Sequence, residues 1–162
     1  MNLFKKLASL NYRKDILPFQ VLKEPKKILV LFPLEPYEPS SFIPTIELLR
    51  KSFKSTEITA VTKTGYAPFF EKSKLFDKII SYESTPSFFS RQFFRLRKKL
   101  RNISALMSLD FNIESDLLSW IGGASLRIGV QSSQFINYKV KLSSKDQVQN
   151  ALKLVHAICI GR

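Results

Sequence analysis

Short apolar runs alternate along this chain with longer amphipathic stretches. Lys27 to Phe32 is a continuous aliphatic run of the length and β-branched content of a buried strand. Pro33, Pro36 and Pro39 then stiffen a loop, and Ser40 or Ser41 is placed to cap a helix running to about Lys54. Phe42, Ile43, Ile46, Leu49 and Phe53 form its apolar stripe, and Pro44 falls in the first turn, where a missing N–H costs little. Glu57 to Thr62 predicts a second strand, Gly65 the opening of a short helix, and Lys78 to Tyr82 a third strand. Residues 87–101 read as a helix with Phe89, Phe93, Leu96 and Leu100 inward. Ser104 to Leu109 is a fourth strand, Asn112 caps a helix that ends at Gly122-Gly123, Leu126 to Val130 is a fifth strand, and Lys145 to Ile158 a last helix. Strand–helix alternation of this kind predicts an α/β fold: a mostly parallel sheet with helices on both faces.

Two segments lie outside that rhythm or stand out within it by charge. Residues 1–25 form a basic arm and linker, with Leu3, Phe4, Leu7 and Leu10 at helical spacing among Lys5, Lys6, Arg13 and Lys14. Such an arm either lies on a membrane surface or packs on its own domain, taken here as residues 26–162. The formal net charge is +13. Most of it sits in residues 1–27 and in 84–109, where Arg91, Arg95, Arg97, Lys98, Lys99 and Arg101 have no acid among them. Clusters like these attract polyanions: nucleic acid, anionic lipid head groups or phosphorylated glycolipid. Their bland reading is solvated surface that aids solubility.

One cysteine, Cys159, and one histidine, His156, argue against a disulfide framework or a His- or Cys-based metal site. Cys159 reads as a small buried apolar residue, His156 as structural or exposed, and Trp120 as core sooner than a sugar-stacking platform. No apolar stretch has the length of a bilayer span, so a cytoplasmic location is expected. The first strand is followed by no G-x-G-x-x-G, and the chain has no P-loop, no G-x-S-x-G and no plausible nucleophile–histidine pair. In an open α/β sheet ligands bind beyond the carboxyl ends of the strands. Those ends are the Pro33–Pro39 loop, Lys63–Tyr66, Tyr82–Pro86, Asp110–Asn112 and Gln131–Tyr138.

Spaced motifs across residues 26–160 resemble glycosyltransferase family 9, the lipopolysaccharide heptosyltransferases. They are Ile28-Leu29-Val30, Pro44 and Leu48-Leu49-Arg50; Glu57-Ile58-Thr59 with Gly65-Tyr66; Phe76-Asp77-Lys78-Ile79-Ile80; and Asn112, Leu117-Leu118, Gly123-Ala124 and Arg127-Ile128-Gly129. The resemblance implies a single Rossmann-like domain, the N-terminal acceptor-binding half of a two-domain GT-B architecture. Metal-independent sugar transfer would then require a donor domain, on a partner chain or elsewhere, to bring the nucleotide-sugar; no other cofactor is implied. The family's first loop usually reads Ser-x-Gly-Asp, the Asp activating the acceptor hydroxyl. Aligned on Pro44, Tyr37 stands at the Gly and Glu38 at the Asp, while an Asp usual in the fourth strand is Ser108.

Glu38 is thus the candidate base, one methylene longer than the family residue, against its reading as an exposed loop acid. Arg91, Arg95 and Lys98, at i, i+4 and i+7, are the candidate anion-binding row for the phosphates and acidic sugars of an acceptor glycolipid. The alternative is a non-catalytic module that binds anionic glycolipid or a membrane surface, stationed on the inner face of the cytoplasmic membrane. Nucleic acid is the least supported partner, because the inward phase of Phe89 and Phe93 removes them from any stacking role and no nucleic-acid motif accompanies them.

Overall fold

In the computed structural model of the protein the described residues are 25–33, 37–84, 90–100, 102–109, 123–130, 136, 138–140 and 146–159. They form one sheet of six parallel strands: β1 (Lys27–Leu31), β2 (Glu57–Lys63), β3 (Lys78–Tyr82), β4 (Ala105–Ser108), β5 (Leu126–Val130) and β6 (Tyr138–Val140). Their spatial order is β3-β2-β1-β4-β5-β6. This is the strand order of a Rossmann-type sheet, whose two halves run outward from the adjoining β1 and β4. Among the described residues four α-helices accompany it: α1 (Ile43–Ser52), α2 (Ala67–Ser73), α3 (Arg91–Lys99) and α4 (Gln147–Cys159).

Side chains alternate across each strand, and the two faces bury different helices. Ile28, Val30, Ile58, Ala60, Met107 and Ile128 face α1, α2 and α4, which contribute Ile46, Leu49, Phe70, Leu154 and Val155. Leu29, Leu31, Val61, Ile80 and Leu106 face the other way, toward Phe93, Leu96 and Leu100 from α3 and its C-terminal end. The doubly covered sheet explains why β1 reads as an unbroken apolar run: Ile28 to Phe32 are all at most 2% exposed.

Several elements differ in detail from the sequence reading. Ser40 and Ser41 do not cap α1. A 3-10 turn, Pro39–Phe42, precedes it, and the N-cap of α1 is Phe42, with no side-chain cap. Both serine hydroxyls turn back to Glu38: Ser40 Oγ donates to Glu38 Oε1 at 2.8 Å, and Ser41 Oγ donates to the Glu38 carbonyl. Pro44 does lie in the first turn of α1. Helix α3 starts at Arg91 because Ser90 caps it, its hydroxyl accepting the Phe93 N–H at 3.1 Å. Tyr138 opens β6 instead of ending a loop; three residues are too few for alternation to be readable. The predicted 112–121 helix and the 1–24 arm lie outside the described residues, as do Asp110 and Trp120.

Two ion pairs fix the sheet's left half. Lys27 and Glu57 are register partners on β1 and β2 and meet at 2.8 Å. The Lys27 hydrogen bond holds the Glu57 carboxyl below its ordinary value. Arg50, at the end of α1, reaches the Asp77 carboxylate at 2.7 Å and also donates to the carbonyls of Leu75 and Thr56. Asp77 Oδ2 in turn accepts the Ile58 N–H at 2.7 Å. One Arg–Asp pair therefore ties α1, the start of β2 and the approach to β3. Desolvation pushes the Asp77 carboxyl up, but the Ile58 N–H and the Arg50 guanidinium outweigh it, and the net shift is downward.

Candidate functional site

The carboxyl end of the sheet carries two distinct arrangements. The first surrounds the chain's return from the loop after β1. Phe32 leaves β1 fully buried, its ring 4.3 Å from Phe70, 5.7 Å from Phe42 and 5.8 Å from Phe76 between centroids. Tyr37 stacks on this group, nearly parallel to Phe32 at 6.1 Å and tilted against Tyr66 at 4.4 Å. Its hydroxyl is 3.0 Å from Thr62 Oγ1 on β2, and its backbone N–H donates to the Tyr66 hydroxyl. Burial pushes the Tyr37 phenol well above its ordinary range, so the ring is a neutral anchor and no base. Tyr37 is thus an aromatic side chain that packs inward at the start of the segment leading to α1.

Glu38 follows at once and is exposed, with Ser40 as its hydrogen-bond partner. Its carboxylate is therefore available to solvent. Ser108, which the sequence resemblance sets against a family Asp, is fully buried at the end of β4, in register with Leu31. A Cβ on Gly129 would lie 3.5 Å from the Ser108 Cβ and 3.0 Å from Ile136 Cδ1, so this corner is closely packed.

The second arrangement is a cleft of about 380 Å³ between the ends of β2 and β3 and the flank of α3. Tyr82 and Leu96, both buried, belong to its floor; Thr64, Ser81, Glu83 and Ser84 come from the strand ends, and Gln92, Arg95 and Lys99 from the helix. The cleft thus joins two of the strand ends expected from sequence, Lys63–Tyr66 and Tyr82–Pro86. The inward stripe Phe93, Leu96 and Leu100 sets the rotation of α3, and with it which cations reach the cleft. Of the row Arg91, Arg95 and Lys98, all three are exposed on one side of the helix, but only Arg95 lines the cleft. Lys99 joins it in place of Lys98. The signal for Lys99 was present: Gln92, Arg95 and Lys99 stand at i, i+3 and i+7, one step round from the buried stripe. Glu38 is not among the lining residues, so the candidate base and the cleft cations occupy separate places along the strand ends.

Chemically, the cleft pairs two cations with one carboxylate, Glu83, and with four hydroxyl or amide side chains over an aromatic and aliphatic floor. Arg95 and Lys99 suit an anionic group; Glu83, Gln92 and the hydroxyls suit neutral hydroxyls; Tyr82 and Leu96 suit an apolar ring face. No cluster of three His, Cys, Asp or Glu side chains that could hold a metal ion occurs among the described residues. His156 is exposed on α4, and the side chain of Cys159 lies outside the described set.

These strands and helices define a Rossmann-like α/β domain. Among solved structures its fold is shared with family 9 glycosyltransferases and heptosyltransferases. The glycosyl transferase family 9 structure from Veillonella parvula superposes with a TM-score of 0.66 at 17% identity, over 82% of this chain and 41% of that one. The E. coli ADP-heptose lipopolysaccharide heptosyltransferase II gives 0.65 at 18% identity, over 80% and 40%. The E. coli heptosyltransferase WaaC with ADP gives 0.60 at 14% identity, over 81% and 46%. The chain thus spans less than half the length of the structures it matches. No protein-family model matches the sequence, and no curated protein matches it.

Proposed function

We propose that this chain is the acceptor-binding domain of a family 9-like glycosyltransferase, and that the cleft beside α3 receives the anionic group of a phosphorylated sugar on a lipopolysaccharide-type glycolipid. The observation that carries the reading is the convergence of Arg95 and Lys99 with Gln92, Glu83 and three hydroxyls over Tyr82, in a fold shared with heptosyltransferases. Phosphate would take the guanidinium by paired hydrogen bonds and the ammonium as a point charge. Sugar hydroxyls would bond to the neutral side chains. A nucleotide-sugar would enter through a donor domain.

Calorimetric titration with a phosphorylated lipopolysaccharide core oligosaccharide, and with the same oligosaccharide after phosphatase treatment, tests this. Arg95→Ala and Lys99→Ala should each weaken binding of the phosphorylated form about ten-fold or more, the loss of a hydrogen bond to a charged group. Neither should change binding of the treated form. Equal affinity for both oligosaccharides would remove the phosphate from the proposal.

Glu38 is the proposed base for the acceptor hydroxyl. With a donor domain present, Glu38→Gln is expected to abolish most transfer, on the order of 10²–10⁴-fold for a lost general base, while acceptor affinity is unchanged. Retained transfer would return Glu38 to the role of a loop acid and leave the domain as a binding module.

A further inference from the structure

The cleft beside α3 holds opposite charges that do not neutralise one another. Arg95 and Lys99 line it from the helix, and Glu83 lines it from the segment just after β3. All three residues are exposed, and none is in an ion pair among the described residues. A ligand that is only an anion satisfies the helix wall and meets repulsion from the Glu83 carboxylate. A ligand that is only a cation meets the reverse, against two charges. One that carries both signs on a single frame satisfies each wall. The neutral lining describes the frame. Thr64, Ser81, Ser84 and Gln92 offer hydroxyl and amide groups, over the buried Tyr82 and Leu96. That set suits a polyol ring, with hydroxyls at its edge and C–H groups on its face.

We propose that the phosphorylated sugar received by this cleft also carries a protonated amine, so that the ligand is an amino-sugar phosphate. Its phosphate meets Arg95 and Lys99, its ammonium meets Glu83, and its ring hydroxyls meet the neutral side chains. Selectivity for the second charge rests on the reading of the cleft as a phosphate site and extends it. Glu83 gains little by pairing with the cations directly, because ordering two long side chains in solvent offsets the attraction. A ring that holds both charges at a fixed separation supplies part of that order in advance. A phosphoethanolamine group has both charges but no ring hydroxyls for Thr64, Ser81 and Ser84, which favours the sugar.

Titration of the full chain in neutral buffer, followed by its amide NMR shifts, tests this with glucosamine 6-phosphate, glucose 6-phosphate and O-phosphoethanolamine. Glucosamine 6-phosphate should bind about three- to five-fold tighter than glucose 6-phosphate, the size of one exposed charge contact. It should also bind more tightly than O-phosphoethanolamine. Glu83→Gln, at an exposed position, keeps the side-chain shape and removes the charge. It should weaken glucosamine 6-phosphate and strengthen glucose 6-phosphate, bringing the two within about two-fold of each other. Arg95→Ala should weaken both sugar phosphates. Equal binding of the two by the unaltered chain, with both still weakened by Arg95→Ala, overturns the amine and leaves the phosphate site standing. A preference that survives Glu83→Gln likewise overturns it, since the amine would then be read elsewhere. Tighter binding of O-phosphoethanolamine overturns the sugar in favour of a head group. If no phosphorylated compound binds, or Arg95→Ala changes nothing, the phosphate site and its selectivity fall together.

Discussion

Phe32→Ala is expected to lower the stability of the domain by about 3–5 kcal/mol, a large part of the total available to a protein of this size. The ring is fully buried and touches Tyr37, Phe42, Phe70 and Phe76, so its removal strips contacts from four aromatic neighbours at once. Those neighbours belong to different elements: the first loop, the 3-10 turn before α1, helix α2 and the approach to β3. None can fill the vacancy without moving its own element. The midpoint of thermal unfolding should fall by roughly 10 °C. Phe32→Leu, which keeps most of the volume, should cost less than about 1.5 kcal/mol. Urea unfolding of both variants checks the pair. A loss under about 1 kcal/mol for Phe32→Ala would show that the cavity collapses freely, against the close packing of interiors.

Asp77→Ala should destabilise by about 2 kcal/mol at neutral pH, because it deprives the Ile58 N–H and one arm of Arg50 of a charged acceptor. The carboxyl is held below its ordinary value when folded. Its stabilisation is therefore fully present above the unfolded value of about 4 and is lost as pH falls through the lower folded value. The gap between wild type and Asp77→Ala should accordingly narrow as the solution is acidified. Denaturant midpoints of the two proteins across that range give the measurement. A gap that stays constant through the acid limb would mean that the ionised carboxylate is not the source of the effect.

Much of the architecture was legible because its strands are short, apolar and separated by amphipathic helices. β5 was read at its full length and β1 to within one residue, and both cores follow from alternation along doubly covered strands. The order of the strands was not readable, since strand pairing is a non-local property. Motif residues carried more structure than expected: Arg50 and Asp77, cited as separate similarities 27 positions apart, turn out to be partners. The start of α1 was misread because the serines had two acceptable partners. They bond to Glu38, which local propensity cannot weigh against the helix's own N–H groups. The cleft was half legible. Its strand ends and Arg95 were foreseen, whereas Lys99 depended on the rotation of α3, which is set by packing on Leu106 and its neighbours.

On a helix of 3.6 residues per turn, a shift of one position rotates every side chain by about 100°. Phe93 and Leu100, buried against the sheet, hold α3 against such a turn. Arg95 and Lys99 therefore keep their places in the cleft through residues that do not line it. A change at Phe93 that let the helix roll would exchange the cleft's charges without altering any residue exposed there.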